Sequence, residues 1–350
     1  MARSSAGHPD AETTMDLTTN YLGLQLKNPL VPSASPLAHS LDAARRLEDA
    51  GASALVMYSL FEESLRGEER TAGDFLEDQS IGHAEATSFI PVHGELPSAL
   101  DGYLEQLQRL KGALEIPVVA SLNGISRSGW LEYGRELERA GADALELNVY
   151  YVAADPGLRG SDVEQRYIDL VRELRTHVGL PINVKLSPQF SSVSHMVRQL
   201  EKAGADGVAL FNRFYQPDID LDSLKVAPHL QLSSSVETLL PMRWIALLFG
   251  RVDLTLGHTS GIHTAEDALK ALLAGADTVH LCSALLQHGP DYLGEVLSGI
   301  ERWLEESPYE TVDQMRGSLS APHATDPAAY ARANYVDTLS TYNQDVFWGG

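Results

Sequence analysis

Residues 264–281 read TAEDALKALLAGADTVHL. Apolar residues recur at helical spacing, stop at Ala274-Gly275-Ala276-Asp277, and give way at once to the short apolar run TVHL. A glycine that can take a positive φ ends the helix, and a buried strand begins directly after it. The same joint occurs at Ala50-Gly51-Ala52-Ser53 before ALVM, at Ala140-Gly141-Ala142-Asp143 before ALEL, and at Ala203-Gly204-Ala205-Asp206 before GVAL. A short helix-to-strand joint used repeatedly is how a parallel α/β fold returns its chain to the sheet. It fixes the direction of every strand, so chemistry is expected where those strands end.

Working outward, eight apolar runs read as strands: PLVPSA (29–34), ALVMYS (54–59), PVVASL (117–122), ALELNV (144–149), INVKLS (182–187), GVALFN (207–212), VDLTLG (252–257) and TVHLCS (278–283). Amphipathic segments such as LDAARRLEDA, DVEQRYIDLVRELRTH and SSVSHMVRQLEKA separate them. Eight strand–helix units predict a (β/α)8 TIM barrel with a C-terminal helical extension. The expected organisation is a disordered N-terminal extension over 1–14, a barrel domain over 15–310, and a tail over 311–350 packed on the barrel. Two stretches, 60–96 and 213–235, exceed ordinary connections, and both follow the carboxyl ends of strands, where barrel enzymes place functional loops.

Bulk properties narrow the function. The 350 residues are 44% hydrophobic, as expected of a globular core, and WIALLF (244–249) is far too short for a membrane span. A net charge of −22 disfavours nucleic acid and anionic membranes, and repels acidic small molecules unless a local cation offsets it. The single cysteine, Cys282, excludes an internal disulfide framework, a cysteine-rich zinc site and a protein-held iron–sulfur cluster. A reducing cytoplasm and a small-molecule substrate are the expectation.

The strand ends are unusually polar: Tyr58, Ser59, Ser121, Asn123, Asn148, Lys185, Asn212, His258, Thr259, Cys282 and Ser283. Lys185 interrupts the apolar INVKLSP. It reads as an anion stabiliser, as a Schiff-base nucleophile if desolvated, or as a lysine snorkelling to solvent. Asn148 and Asn212 offer both donors and acceptors, which suits the amide edge of a heterocycle or merely satisfies a loop. Asn123 beside Gly124 reads as a contact residue or a turn. On the last two units, Gly261 precedes a helix and Cys282-Ser283 follows the eighth strand, the usual position of a phosphate site in this architecture. His258 and His280 read as packing residues.

The stretches YLGLQLKNPLVPSASPL, PVVASLNG, ALELNVYY, PINVKLSP, DGVALFNRF and SGIHTAEDALKALLAGADTVHLCSALLQHGP together resemble the dihydroorotate dehydrogenase family, in its class 1-like branch, over residues 16–305. The resemblance implies FMN in the barrel mouth and a homodimer. Ser33, Ala34, Ser35 and Ser59 would lie along the isoalloxazine, and Asn123, Asn148 and Lys185 at its polar edge and ribityl chain. Ser260, Gly261, Cys282 and Ser283 would hold the phosphate, and Asn148, Tyr150 and Asn212 would face the substrate. It also implies oxidation of dihydroorotate, or of a related cyclic compound, by hydride transfer to the flavin.

The chain departs from the family pattern N-x-S-[CS]-P-N, reading Asn148-Val149-Tyr150-Tyr151-Val152-Ala153, so Tyr151 stands at the base position. Tyr58 replaces the usual lysine after the second strand. Tyr151 is accordingly the candidate base and Lys185 the electrostatic partner of reduced flavin. Two other readings stay open: an FMN-binding protein without turnover, in a partner or regulatory role, and a lyase using Lys185 as a Schiff base.

Overall fold

The computed structural model describes residues 15–61, 98–123, 127–227 and 230–331. Its strands are β1 (Thr19–Tyr21), β2 (Leu24–Leu26), β3 (Leu30–Pro32), β4 (Leu55–Phe61), β5 (Val118–Asn123), β6 (Ala144–Asn148), β7 (Ile182–Leu186), β8 (Gly207–Leu210), β9 (Asp218–Asp220), β10 (Lys225–Ala227), β11 (Thr255–Thr259) and β12 (Thr278–Leu281). Eight of them form one parallel sheet in the order β3-β12-β11-β8-β7-β6-β5-β4. The two ends of that order meet where the Ser53 N–H and Oγ both donate to the Leu30 carbonyl, at 3.1 and 2.8 Å. The sheet is thus a nearly closed barrel, followed by C-terminal helices.

The repeated joints show why the sequence folds this way. Gly51, Gly141, Gly204 and Gly275 all have φ between 95° and 120°. The next-but-one residue then latches onto the start of the preceding strand. Asp143 donates its N–H to the Val118 carbonyl and accepts the Val118 N–H on its carboxylate; Asp206 treats Ile182 the same way, and Asp277 treats Leu256. Each carboxylate also takes a cation, from Lys111, Arg175 and Arg316 respectively. One aspartate therefore sets both register and helix position.

The helices bury one face. In Val193–Ala203, residues Val193, Met196, Val197 and Leu200 face the barrel, a spacing of three and four, and are essentially inaccessible. Each such side chain contributes on the order of 1.5–3 kcal/mol by leaving water.

Two differences from the sequence expectation have physical reasons. The seventh strand runs over 255–259 and not 252–257, because Val252 and Asp253 complete the turn after the preceding helix, with the Asp253 N–H on Glu201 Oε1. A β1–β2 hairpin, not expected from pattern, turns through Leu22 and Gly23, both at positive φ, and carries Tyr21, Leu22 and Leu26 into the amino-terminal end of the barrel. The 213–235 insertion contains the exposed β9–β10 hairpin, whereas the 60–96 insertion lies almost wholly outside the described residues, as do 1–14. Beyond residue 310, the backbone of Gly317, Leu319 and Ala321 bonds to Leu272, Leu273 and Ala246 of two barrel helices.

Candidate functional site

Alternation along the strands sends Ser121 and Asn123 of β5, Glu146 and Asn148 of β6, Asn183 and Lys185 of β7, and Thr278 and His280 of β12 into the lumen. The deepest polar layer joins the hairpin plug to the strands. Asn183 Nδ2 donates to Tyr21 Oη at 3.3 Å and to Glu146 Oε2 at 3.2 Å, and the Tyr21 ring meets His280 edge-on. Burial, with Glu146 nearby, raises the Tyr21 phenol well above its ordinary range.

Lys185 stands one layer higher. Its Nζ donates to Ser33 Oγ at 3.1 Å and lies 3.5 Å from Oε1 of the fully buried Glu146. That carboxylate oxygen has no hydrogen-bond partner among the described residues; neither do Asn183 Oδ1 and His280 Nδ1. Burial, reinforced by the Lys185 charge, lowers His280 to about 3, so its imidazole is neutral.

Above this layer opens a cavity of about 1010 Å³. Its floor is a chain of neutral side chains. Ser121 Oγ and Ser59 Oγ are 2.8 Å apart, Asn148 Nδ2 donates to Ser59 Oγ at 3.4 Å, and Asn212 Nδ2 donates to Asn148 Oδ1 at 2.6 Å. One wall is aromatic: His39 stacks on Tyr58 at 3.5 Å, and Tyr58 meets the buried Tyr103 edge-on at 5.0 Å. Tyr150 packs on Phe214 and accepts the Tyr215 N–H on its hydroxyl at 3.1 Å.

Across the barrel, the backbone after β11 and β12 forms a tight cradle. Ser260 and Gly261 are consecutive residues at φ 80° and 81°, and a Cβ on Gly261 would sit 2.2 Å from the Thr238 nitrogen. Ser260 Oγ donates to the Phe211 carbonyl, and Ser283 Oγ accepts the Ser233 N–H. The Cys282 thiol, raised by burial, points at the Ala34 carbonyl and remains protonated.

Of the residues singled out in the sequence, Ser33, Ala34, Ser35, Ser59, Asn123, Asn148, Tyr150, Lys185, Asn212, Ser260, Gly261, Cys282 and Ser283 all line this one cavity. Tyr151 does not. Its ring packs against the core beneath the Arg166 guanidinium, 4.9 Å from the ring centre, because β6 ends at Asn148 and strand alternation no longer governs the residues after it. His258 faces the helix layer, bonded to Thr238.

Sequence reasoning missed Glu146, His39 and Arg213. Glu146 was legible as the inward member of Ala144, Glu146 and Asn148. His39 ends the short 3-10 helix Pro36–His39 and Arg213 lies in a loop, and neither position carries a period.

Residues 16–304 match the sequence profile of the family described as dihydroorotate dehydrogenase. Among curated proteins, the chain is 26% identical over 330 residues to the NAD-dependent dihydropyrimidine dehydrogenase subunit PreA of Escherichia coli (strain K12), covering 87% of this chain and 77% of that protein. It is 26% identical over 309 residues to dihydroorotate dehydrogenase A (fumarate) of Lactobacillus delbrueckii subsp. bulgaricus, covering 86% and 97%. It is 25% identical over 316 residues to the catalytic subunit of dihydroorotate dehydrogenase B (NAD(+)) of Methanothermobacter thermautotrophicus, again covering 86% and 97%.

Proposed function

Because the chain belongs to the dihydroorotate dehydrogenase family, we propose that it is an FMN-dependent oxidoreductase acting on a carbon–carbon bond of a cyclic substrate of the dihydroorotate or dihydropyrimidine type. The observation that carries this reading is the convergence in one cavity of Lys185, the Asn148–Asn212 amide pair and the Ser260–Gly261 cradle.

The residues fit such a cofactor. The missing Cβ at Gly261 lets the Glu237–Thr238 backbone pack against the turn and fix it, and Ser260, Gly261 and Ser283 line the cavity together where a phosphate would lie. The cavity volume exceeds what one drug-sized ligand needs, which leaves space for a ring and a second molecule. Bound FMN would supply the hydride acceptor.

The chain's own residues then have distinct tasks. Lys185, held by Ser33 and Glu146, would contact the polar edge of a bound flavin and favour negative charge on it. Asn123 lines the same cavity and would contact that edge, and Ser59, also in the lining, would lie along the ring. Asn148 and Asn212 orient the substrate through paired amides. The proton is assigned to the Tyr150 hydroxyl in preference to Tyr151. What supports that choice is that Tyr150 lines the cavity and its oxygen, polarised by the Tyr215 N–H, would take the substrate proton while its own hydrogen passes to solvent.

Among the described residues no helix is long and apolar enough to cross a membrane. The test is the visible spectrum of FMN-loaded protein under anaerobic conditions, before and after adding dihydroorotate or dihydrouracil. Bleaching of the flavin band by either is expected. A yellow protein bleached only by dithionite would refute turnover of this substrate type.

A further inference from the structure

Arg213 lies in the loop after β8 and lines the cavity with a side chain 32% exposed. Its guanidinium is clamped to the segment 231–238. Nε donates to Glu237 Oε1 at 2.8 Å, and Nη1 donates to the Gln231 carbonyl at 2.7 Å. The other carboxylate oxygen of Glu237 accepts the Ser234 N–H at 2.8 Å, so the acid that holds the arginine is itself fixed. A guanidinium carries five N–H hydrogens, and these bonds use only part of that fork.

The segment that Arg213 clamps also builds the cradle, from both sides. Ser233 gives its N–H to Ser283 Oγ at 3.1 Å, and the Glu237–Thr238 peptide packs where a Cβ on Gly261 would stand. The backbone leading to Arg213 is tied to the same place, because Ser260 Oγ donates at 2.9 Å to the carbonyl of Phe211, two residues earlier. Burial raises the Cys282 thiol, and the charges of Lys185 and then Arg213 pull it back, so the field of the guanidinium reaches the residue before Ser283.

A phosphate dianion approaching a chain of net charge −22 meets an opposing long-range field. Backbone N–H groups in the cradle supply partial charges, whereas a guanidinium supplies a whole one in a planar fork that matches phosphate oxygens. Glu237 offsets part of that charge, and at the same time it removes the entropy cost of holding a long side chain in one place.

We propose that Arg213 binds the phosphate of the flavin nucleotide in the Ser260–Gly261–Ser283 cradle, so that this side chain makes the site prefer FMN over riboflavin. The inference rests on the flavin reading above and adds to it a residue absent from the sequence expectation.

The experiment titrates the full chain, freed of bound flavin, and its Arg213→Gln and Arg213→Lys variants with FMN and separately with riboflavin. Flavin fluorescence is read at pH 8 and one fixed ionic strength. Arg213→Gln should bind FMN about tenfold or more weakly than the wild type and riboflavin within about twofold of it. Arg213→Lys, which keeps the charge and loses the fork, should fall between the two for FMN. Riboflavin affinity doubles as the check of fold, since riboflavin would occupy the same cavity. Equal losses for both flavins would make Arg213 a clamp of the loop alone, and an unchanged FMN affinity would place the phosphate elsewhere; either result overturns the proposal and leaves the flavin reading intact. If Arg213→Gln does not fold, Arg213→Lys carries the test, with a loss of about threefold or more expected for FMN only. A wild type that binds neither flavin would overturn this inference and the flavin reading together.

Discussion

Replacing Glu146 with Gln removes one negative charge from the barrel lumen and keeps the shape of the side chain. The carboxylate oxygen lost is the one 3.5 Å from Lys185 Nζ, with side-chain exposures of 0% and 9% for the two residues. At an effective dielectric of about 20, two unit charges at that separation attract by roughly 5 kcal/mol. Removing one partner of a buried pair generally costs somewhat less, about 3 kcal/mol, because the remaining ion relaxes. For a barrel of this size that is a fall in melting temperature of roughly 5 °C.

The same substitution leaves the Lys185 cation uncompensated, so a reduced, negatively charged ring above it should be favoured. If about 1.4 kcal/mol of the released interaction reaches the ring, the two-electron midpoint potential rises by about 30 mV. The assay is equilibrium dye-coupled reduction of wild-type and Glu146→Gln protein, beside thermal unfolding of both. A double-mutant cycle with Lys185→Met separates the pair from general damage, and the double variant should recover part of the lost stability. An unchanged midpoint together with an unchanged melting temperature would refute the argument that Glu146 sets the charge presented by Lys185.

Two further outcomes are expected. Gly261→Ala places a methyl 2.2 Å from the Thr238 nitrogen at a φ of 81°, which should cost roughly 1–3 kcal/mol and weaken FMN retention at least about tenfold, read by fluorescence titration. Burial lowers His258 to about 4 from an ordinary 6.5, so between those values the unfolded chain binds more protons than the folded one. The His258 share of stability should therefore fall by roughly 3 kcal/mol as the pH drops from 6.5 to 4, His280 adding a comparable loss, and His258→Gln should reduce the slope by about half in urea titrations at stepped pH.

Much of this architecture is legible because it is locally encoded. Each Ala-Gly-Ala-Asp joint needs a positive-φ glycine and an acid that can reach back to the previous strand, and both requirements show in the letters. Lys185 and Asn148 stood out because a polar residue in a buried strand has to be satisfied by something. Other features depended on partners far away in sequence. The β1–β2 hairpin has strands of only three residues and gains its stability by entering the barrel, which no window of local sequence reports. Glu146 was hidden by its apolar neighbours, although its inward parity with Asn148 was available. The choice between Tyr150 and Tyr151 depends on where β6 stops, a boundary set by the loop beyond it. His39 was unreadable because its partner Tyr58 lies on a different unit of the barrel.

The central claim is that the mouth of this barrel is a flavin site organised around Lys185. Fluorescence titration of FMN with the purified apo-protein, alongside Lys185→Ala, tests it most directly. The account predicts saturable quenching at one FMN per chain for the wild type, with clearly weaker retention in the variant. FMN that remains fully fluorescent with the wild type, or that binds both proteins equally well, would contradict it.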